Sequence, residues 1–239
     1  MKHPRIPEGR EKTNHVQEII MKKYSVIAFD LDGTLTNPER GQLSGFEYAF
    51  KKHGVAYPSR DWLKKYIGPP IHREWREEYG FTSEKVAEMI ETYREYYNIY
   101  GWWDNEVYEG IVELLSGLKA AGKKIILATS KPEFIARKIL TLFGLDGYFD
   151  FIGGAAEDET RHLKEEVLRY SLSSLGDYEP TETVLVGDRK YDAEGANTVG
   201  IDSIGVLWGH GSREELEASG FTHIVSTPEE LLSGILSGK

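Results

Sequence analysis

Acidic side chains directly follow two of the predicted strands. Asp30 and Asp32 come after one short apolar run, and Asp188 and Asp192 come after another. Carboxylates that lie close together repel one another unless a cation sits between them, and sets of hard oxygen ligands select Mg²⁺. These residue types therefore predict a magnesium site if the fold brings the two strand ends together.

Hydroxyl and ammonium groups complete the set of chemically capable side chains. Thr129 and Ser130 end a third apolar run, and Lys164 lies near the start of a predicted helix. Hydroxyls, an ammonium and the backbone N–H groups of a helix start suit a bound phosphate. Together with the carboxylates they predict phosphoryl transfer, with one carboxylate as nucleophile and another as general acid and base.

Short apolar runs alternate with helical patterns along most of the chain. Repeated βα units with short loops imply a parallel sheet with helices on both faces, so the predicted fold class is α/β with a Rossmann-like doubly wound core. Ligands bind beyond the carboxyl ends of the strands in such sheets. Strands are predicted at residues 24–29, 124–129, 148–152, 183–187 and 203–207, and helices at 110–121, 132–143, 161–175, 193–199 and 228–236.

The stretch between residues 59 and 103 differs in composition from the rest. It is rich in tryptophan and tyrosine and shows one helical stripe but no strand alternation. We therefore predict an all-α cap domain at residues 36–106, inserted between two parts of the core at 21–35 and 107–239. Residues 1–20 are predicted to be an N-terminal extension or tag outside the catalytic fold.

Four motifs stand in the order found in the haloacid dehalogenase superfamily, and the chain resembles the phosphatase branch of that superfamily. Residues 30–36 (DLDGTLT) resemble its first motif, and residues 128–131 (ATSK) its second. Lys164 resembles the third motif and residues 187–192 (GDRKYD) the fourth. The position of the helical insert, between the first two motifs, is similar to that of members with a small α-helical cap.

The resemblance implies roles for the acidic residues. Asp30 would be the nucleophile and a Mg²⁺ ligand, and Asp32 the general acid and base, with its backbone carbonyl on the metal. Asp188 would be the remaining protein ligand. Asp192 would hold a metal-bound water or orient Lys164, whose ammonium would offset the repulsion between the nucleophile and the incoming phosphate.

The same resemblance implies a phosphate-binding set made of Gly33, Thr129, Ser130 and Lys164. The Thr129 side chain and the Ser130 N–H would bind the phosphoryl oxygens. Asn37 departs from the family, since many relatives have Asp there. We expect this position to lie in a flap before the cap and to affect substrate fit more than chemistry.

Two further segments point to one branch of the superfamily. Residues 67–70 (IGPP) and 108–111 (YEGI) resemble phosphoglycolate-phosphatase-like proteins, and some proteins of this kind are named 5′-nucleotidases. The resemblance implies a Mg²⁺-dependent phosphatase that acts on a small phosphorylated metabolite through an aspartyl-phosphate intermediate. Phosphoglycolate and nucleoside 5′-monophosphates both remain open as substrates.

Other functions compatible with these residues are a sugar phosphate mutase of the same superfamily and a non-enzymatic phospho-acceptor similar to receiver domains. Asp32 argues against a dehalogenase, which has no need of a second acid, and no cap lysine is marked as the Schiff base of a phosphonate hydrolase. Arg40 and Arg189 are candidates for contact with a substrate anion. His210, between two glycines, is expected to be a plain loop histidine.

Composition limits the partners of the chain. The 239 residues carry 39 acidic and 29 basic side chains, a net charge of −10, which disfavours nucleic acid and anionic membranes. There is no cysteine, which excludes disulfides, thiolate metal sites and a cysteine nucleophile and fits a cytoplasmic location. No apolar stretch approaches the ~20 residues of a membrane span. A monomer or a homodimer is expected.

Overall fold

The computed structural model describes residues 21–68, 71–158 and 160–238. The predicted N-terminal extension at 1–20 and the two prolines of the 67–70 segment therefore lie outside the described residues.

A six-stranded parallel sheet lies at the centre of the fold, in the strand order β5-β4-β1-β6-β7-β8. A separate antiparallel pair, β2 with β3, joins the two ends of the helical insert to the core. The strands are β1 (Val26–Phe29), β2 (Thr36–Asn37), β3 (Glu106–Val107), β4 (Lys124–Pro132), β5 (Phe151–Ala155), β6 (Thr183–Gly187), β7 (Asp202–Val206) and β8 (His223–Val225).

Helices cover both faces of the sheet because its strands are apolar on both sides. In β1, Ile27 and Phe29 face one apolar cluster with α4, α5 and α9, whereas Val26 and Ala28 face another with α6 and α7. The helices are α1 (Glu39–Lys52), α2 (Ile71–Tyr79), α3 (Ser83–Tyr96), α4 (Ile111–Ala120), α5 (Glu133–Leu142), α6 (Lys164–Ser173), α7 (Lys190–Val199), α8 (Arg213–Ala218) and α9 (Pro228–Ser237). The predicted α/β class with a doubly wound parallel sheet is confirmed.

The segment from Glu39 to Gly101, called here the helical insert, has an apolar core of its own. It contains α1, α2 and α3, a 3₁₀ turn at Asp61–Tyr66 and a π turn at Tyr97–Gly101. Phe46 and Phe50 of α1 pack edge-on against buried Trp75 of α2. Aromatic residues thus build the interior of the helical insert around Trp75, whereas Trp103 is 53% exposed.

The structure corrects several predicted boundaries. The strand predicted at 148–152 begins only at Phe151, because residues 146–148 form a 3₁₀ turn. Helix α6 begins at Lys164, three residues later than predicted. Strand β8 and helix α8 were not predicted; each is short, and β8 is an edge strand with only Val225 buried. None of the helices in the described part of the chain is long and apolar enough to cross a bilayer.

Candidate active site

The predicted site residues meet where the carboxyl ends of three adjacent strands lie side by side. β1 pairs with β4 on one side and with β6 on the other. Asp30 follows β1, Thr129 lies near the end of β4, and Asp188 follows β6. The topology therefore brings together residues that are more than 150 positions apart in sequence.

Three buried carboxylates form a compact cluster at this edge. Oxygens of Asp30, Asp188 and Asp192 all lie within 4.8 Å of one another. Burial, together with the charges of Asp192 and Asp30, raises the pKa of Asp188 well above its usual value. The Oδ1 atom of Asp188 is buried and has no hydrogen-bond partner among the described residues. The donor set fits a divalent cation, which would offset this repulsion and take the unpartnered oxygen.

Lys164 is held between two of these carboxylates. Its Nζ lies 2.7 Å from Asp30 Oδ1 and 2.7 Å from Asp192 Oδ1, and it donates to the carbonyl oxygen of Ala128 at 3.1 Å. Burial alone would lower the pKa of this ammonium, but Asp192 and Asp30 outweigh it and raise the pKa. Lys164 therefore stays charged and fixes one oxygen of Asp30.

Asp192 has two contacts at once. Its Oδ2 accepts a hydrogen bond from the Arg189 N–H at 3.1 Å, at the start of α7, while its Oδ1 pairs with Lys164. Burial raises the pKa of Asp192 and so does Asp30, whereas Lys164 lowers it. The residue thus both caps the helix and orients the lysine.

Glycines allow the backbone to approach Asp188 closely. Gly33 has φ +83°, and a Cβ added there would lie 2.1 Å from Asp188 Oδ2. A Cβ at Gly209 would lie 2.4 Å from Asp188 Cβ. The Gly33 N–H donates to Thr36 O at 2.8 Å. The close approach to Asp188 explains the glycine at this position independently of its predicted role in phosphate binding.

Asp32 points away from the cluster into a different environment. Its Oδ2 lies 2.6 Å from Lys131 Nζ and accepts a hydrogen bond from Gln42 Nε2 at 2.9 Å. Burial raises the pKa of Asp32, and so does Asp30, against the opposing effect of Lys131. A carboxyl whose pKa is raised can hold a proton for transfer, which suits a general acid.

Thr129 and Ser130, near the end of β4, differ in burial. Thr129 is buried and its Oγ1 accepts from the Lys131 N–H at 3.2 Å, whereas Ser130 is exposed. The register of β4 against β5 shifts between Thr129 and Pro132. Strand β4 is therefore irregular just before α5 begins.

The other basic candidates have protein partners. Arg189 pairs with Glu215 at 2.9 Å and donates to Ile67 O at 2.5 Å, and Arg40 pairs with Asp104 at 3.1 Å. Both arginines thus have carboxylate partners, and their contact with a substrate anion stays a prediction.

His210 lies in a loop, as expected, but beside the acidic cluster. Its backbone N–H donates to Asp188 Oδ2 at 2.8 Å, and its imidazole Nε2 is buried with no hydrogen-bond partner among the described residues. Burial lowers the pKa of its imidazole to about 4. The contacts of Gln42, Lys131 and Gly209 were not predicted from the sequence. For Gly209 the signal was the pair of glycines that flanks His210.

The fold and the site define a class of protein. The family model of the haloacid dehalogenase-like hydrolases matches residues 27–206, and the chain belongs to this family. The resemblance of the four motifs is thereby confirmed. The chain is an enzyme, a phosphatase of this family.

Individual relatives cover nearly the whole chain. A 5′-nucleotidase of Pseudomonas aeruginosa is 39% identical over 201 residues, which are 84% of this chain and 90% of that protein. Tyrosine-protein kinase PtkA of Mycobacterium tuberculosis is 38% identical over 208 residues, 86% of this chain and 70% of the kinase. The crystal structure of a predicted phosphatase from Clostridium acetobutylicum matches with a TM-score of 0.86 at 39% identity, covering 90% of this chain and 99% of that one.

Proposed function

We propose that this phosphatase depends on Mg²⁺ and hydrolyses a small-molecule phosphomonoester, either phosphoglycolate-like or a nucleoside 5′-monophosphate, through an aspartyl phosphate on Asp30. The observation that carries the proposal is the contact of Lys164 with Asp30 inside the cluster of buried carboxylates. One oxygen of the nucleophile is fixed by the ammonium, which leaves the other oxygen for attack on phosphorus.

The reaction has two balanced halves. Asp30 forms a P–O bond as the ester P–O bond breaks, and Asp32 gives its proton to the leaving oxygen. Asp32 then takes a proton from water, whose oxygen attacks phosphorus and releases phosphate from Asp30. Asp30, the Asp32 carbonyl and Asp188 would hold Mg²⁺, which would neutralise part of the phosphate charge.

The phosphoryl oxygens are bound in this proposal by Thr129, the Ser130 N–H, Gly33 and Lys164. Thr129 and Lys164 are supported by their burial next to the carboxylate cluster. Backbone N–H groups suit phosphate because they direct the positive ends of their dipoles at it, and the ammonium adds a full positive charge.

Residues 36–106 act as a cap in this proposal. The antiparallel pair of β2 and β3 is the connection through which the helical insert leaves and rejoins the core. A cap that closes over the site excludes bulk water and favours a small substrate over a phosphoprotein. Of the two proposed substrate classes, the similarity to a 5′-nucleotidase favours the nucleoside 5′-monophosphates.

Phosphate release from a panel of phosphomonoesters, with Mg²⁺ and with chelator, tests the proposal. We expect Mg²⁺-dependent release, with the highest kcat/KM on phosphoglycolate or a nucleoside 5′-monophosphate. Asp30→Asn should abolish release, whereas exposed Asp158→Asn, which makes the same change outside the site, should not. No release from any compound would overturn the proposal and favour a mutase or a phospho-acceptor; a long-lived acyl phosphate would favour the phospho-acceptor.

A further inference from the structure

The two carboxylate oxygens of Asp32 have unlike surroundings. Oδ2 lies 2.6 Å from the Lys131 ammonium and 2.9 Å from the Gln42 amide nitrogen that donates to it. Oδ1 is buried and has no hydrogen-bond partner among the described residues. One oxygen is therefore held by the protein, and the other is left to act on a substrate.

The ammonium that holds Oδ2 is itself fixed. Lys131 is only 8% exposed, and its Nζ donates to the Tyr97 hydroxyl at 2.8 Å. Tyr97 is buried and stacks on Tyr93 with ring centroids 5.2 Å apart, and Tyr93 stacks on Phe46 at 5.1 Å. A continuous stack of rings thus links the apolar core of the helical insert to the partner of Asp32.

These contacts come from both parts of the molecule. Gln42 lies on α1 and Tyr97 opens the π turn, so both belong to the helical insert, whereas Lys131 and Asp32 belong to the strand ends of the core. The orientation of the Asp32 carboxyl is consequently set in part by the position of the insert relative to the sheet.

We propose that Gln42, Lys131 and Tyr97 are positioning residues that hold Oδ2 of Asp32, so that Oδ1 alone exchanges the proton with the leaving oxygen. The helical insert thereby controls the acid step and not only access to the site. This inference rests on the proposed function, in which Asp32 is the general acid.

Leaving groups distinguish this role from a purely structural one. An alkyl phosphate needs a proton on its leaving oxygen, because an alkoxide is a poor leaving group. The p-nitrophenolate ion leaves without one. A variant that misplaces Oδ1 should therefore lose kcat/KM, which reports formation of the aspartyl phosphate, on alkyl esters and keep most of it on p-nitrophenyl phosphate.

The experiment compares Tyr97→Phe and Gln42→Ala with wild type on p-nitrophenyl phosphate and on the better of phosphoglycolate and a nucleoside 5′-monophosphate. We expect kcat/KM on the alkyl ester to fall by about 10- to 100-fold, with the fall on p-nitrophenyl phosphate below about threefold. Tyr79→Phe is the matched control, since it removes a hydroxyl that contacts Ala56 O elsewhere in the insert.

Each outcome bears on a separate claim. Equal loss of kcat/KM on both esters in the two variants would overturn the positioning role, as would no loss of kcat/KM on either ester. A wild-type enzyme that releases no phosphate from any ester would overturn the proposed function itself. Thermal melting of each variant shows whether it folds. If Gln42→Ala does not fold, Tyr97→Phe still tests the proposal, because it keeps the stacked ring and removes only the hydroxyl.

Discussion

Lys164 is an ammonium buried between two carboxylates, and its charge balances theirs. Only 7% of the residue is exposed, so little water screens the contacts with Asp30 and Asp192. Removing one partner from a buried ion pair leaves an uncompensated charge, which costs about 3–5 kcal/mol. The lysine therefore supports both the stability of the strand ends and the orientation of the nucleophile.

Lys164→Met tests this dual role. The variant keeps the length of the side chain but loses the charge, so we expect unfolding in urea to become easier by about 3 kcal/mol and kcat/KM to fall at least about 100-fold. Lys51→Met, a lysine to methionine change at an exposed position near the end of α1, provides the comparison. Near-normal kcat/KM in the Lys164 variant would show that the ammonium is not needed for phosphoryl transfer.

Gly209 is a second residue at which one added atom, a Cβ, would disturb the position of Asp188. A Cβ there would lie 2.3 Å from Gly33 O and 2.4 Å from Asp188 Cβ, distances at which backbone must shift. We expect Mg²⁺ to raise the Tm of the wild-type protein, and we expect Gly209→Ala to displace Asp188, to lower kcat/KM strongly and to remove that increase. The metal-dependent shift is the more specific measurement because it does not require turnover.

Gly147→Ala is the matched control for this change. No atom lies within 4 Å of a Cβ added at Gly147, so both kcat/KM and the Mg²⁺-dependent shift should be retained. A Gly209→Ala enzyme that keeps its response to Mg²⁺ would show that the loop can move without disturbing Asp188.

Among the elements, β4 and β5 are joined by Asp150 just before β5 begins. Its Oδ2 accepts from the Ile125 N–H at 2.9 Å and from Lys119 at 3.2 Å. Burial raises the pKa of Asp150, but the Ile125 N–H, Lys119 and Lys124 outweigh it and lower the pKa below its usual value. The ionised carboxylate thus fixes one end of the β4–β5 pair.

Asp150→Asn should reduce stability in a pH-dependent way. Because the folded pKa is depressed, the contribution is present above the unfolded value of about 3.9 and is lost as pH falls through the folded pKa. We expect urea unfolding to show a loss of about 1–2 kcal/mol at pH 7 that shrinks toward pH ~3. A loss of the same size at both pH values would contradict the ionic origin.

Strand and helix predictions succeeded where periodicity and end signals coincided. β1, β4 and β6 are apolar on both faces, and polar residues stand near or just after their ends, so their positions and the convergence of Asp30, Thr129 and Asp188 could be predicted. β8 could not, because it has only three residues and it forms by pairing with β7, which no local pattern marks.

At the scale of the whole molecule, the contacts between insert and core could not be predicted from sequence. Gln42 and Tyr97 reach the site only because the insert folds back over the strand ends, and no local spacing marks them. The motif residues themselves could be predicted because their order and strand contexts resemble a known family. The sequence therefore predicts the reacting residues, whereas the structure is needed to find the insert residues that hold Asp32.

Arg189 links the two parts of the molecule at a point away from Asp32. Its guanidinium is held by Glu215, and its Nη1 donates to Ile67 O of the insert at 2.5 Å. A Cβ at Gly68 would lie 3.0 Å from the Arg189 side chain, so the insert rests directly on it. The neighbouring Tyr191 hydroxyl donates to Glu74 of α2 at 3.4 Å.

Arg189→Gln should loosen the closed position of the insert without changing the reacting groups. We expect KM to rise about five- to tenfold because closing now costs about 1 kcal/mol more, with kcat on p-nitrophenyl phosphate changed by less. Arg169→Gln removes an arginine that donates to a backbone carbonyl, Thr198 O, within the core, and should leave KM unchanged. If KM stays constant in both variants, the hydrogen bond to Ile67 does not hold the insert, and closure depends on the contacts of Asp32 and Lys131.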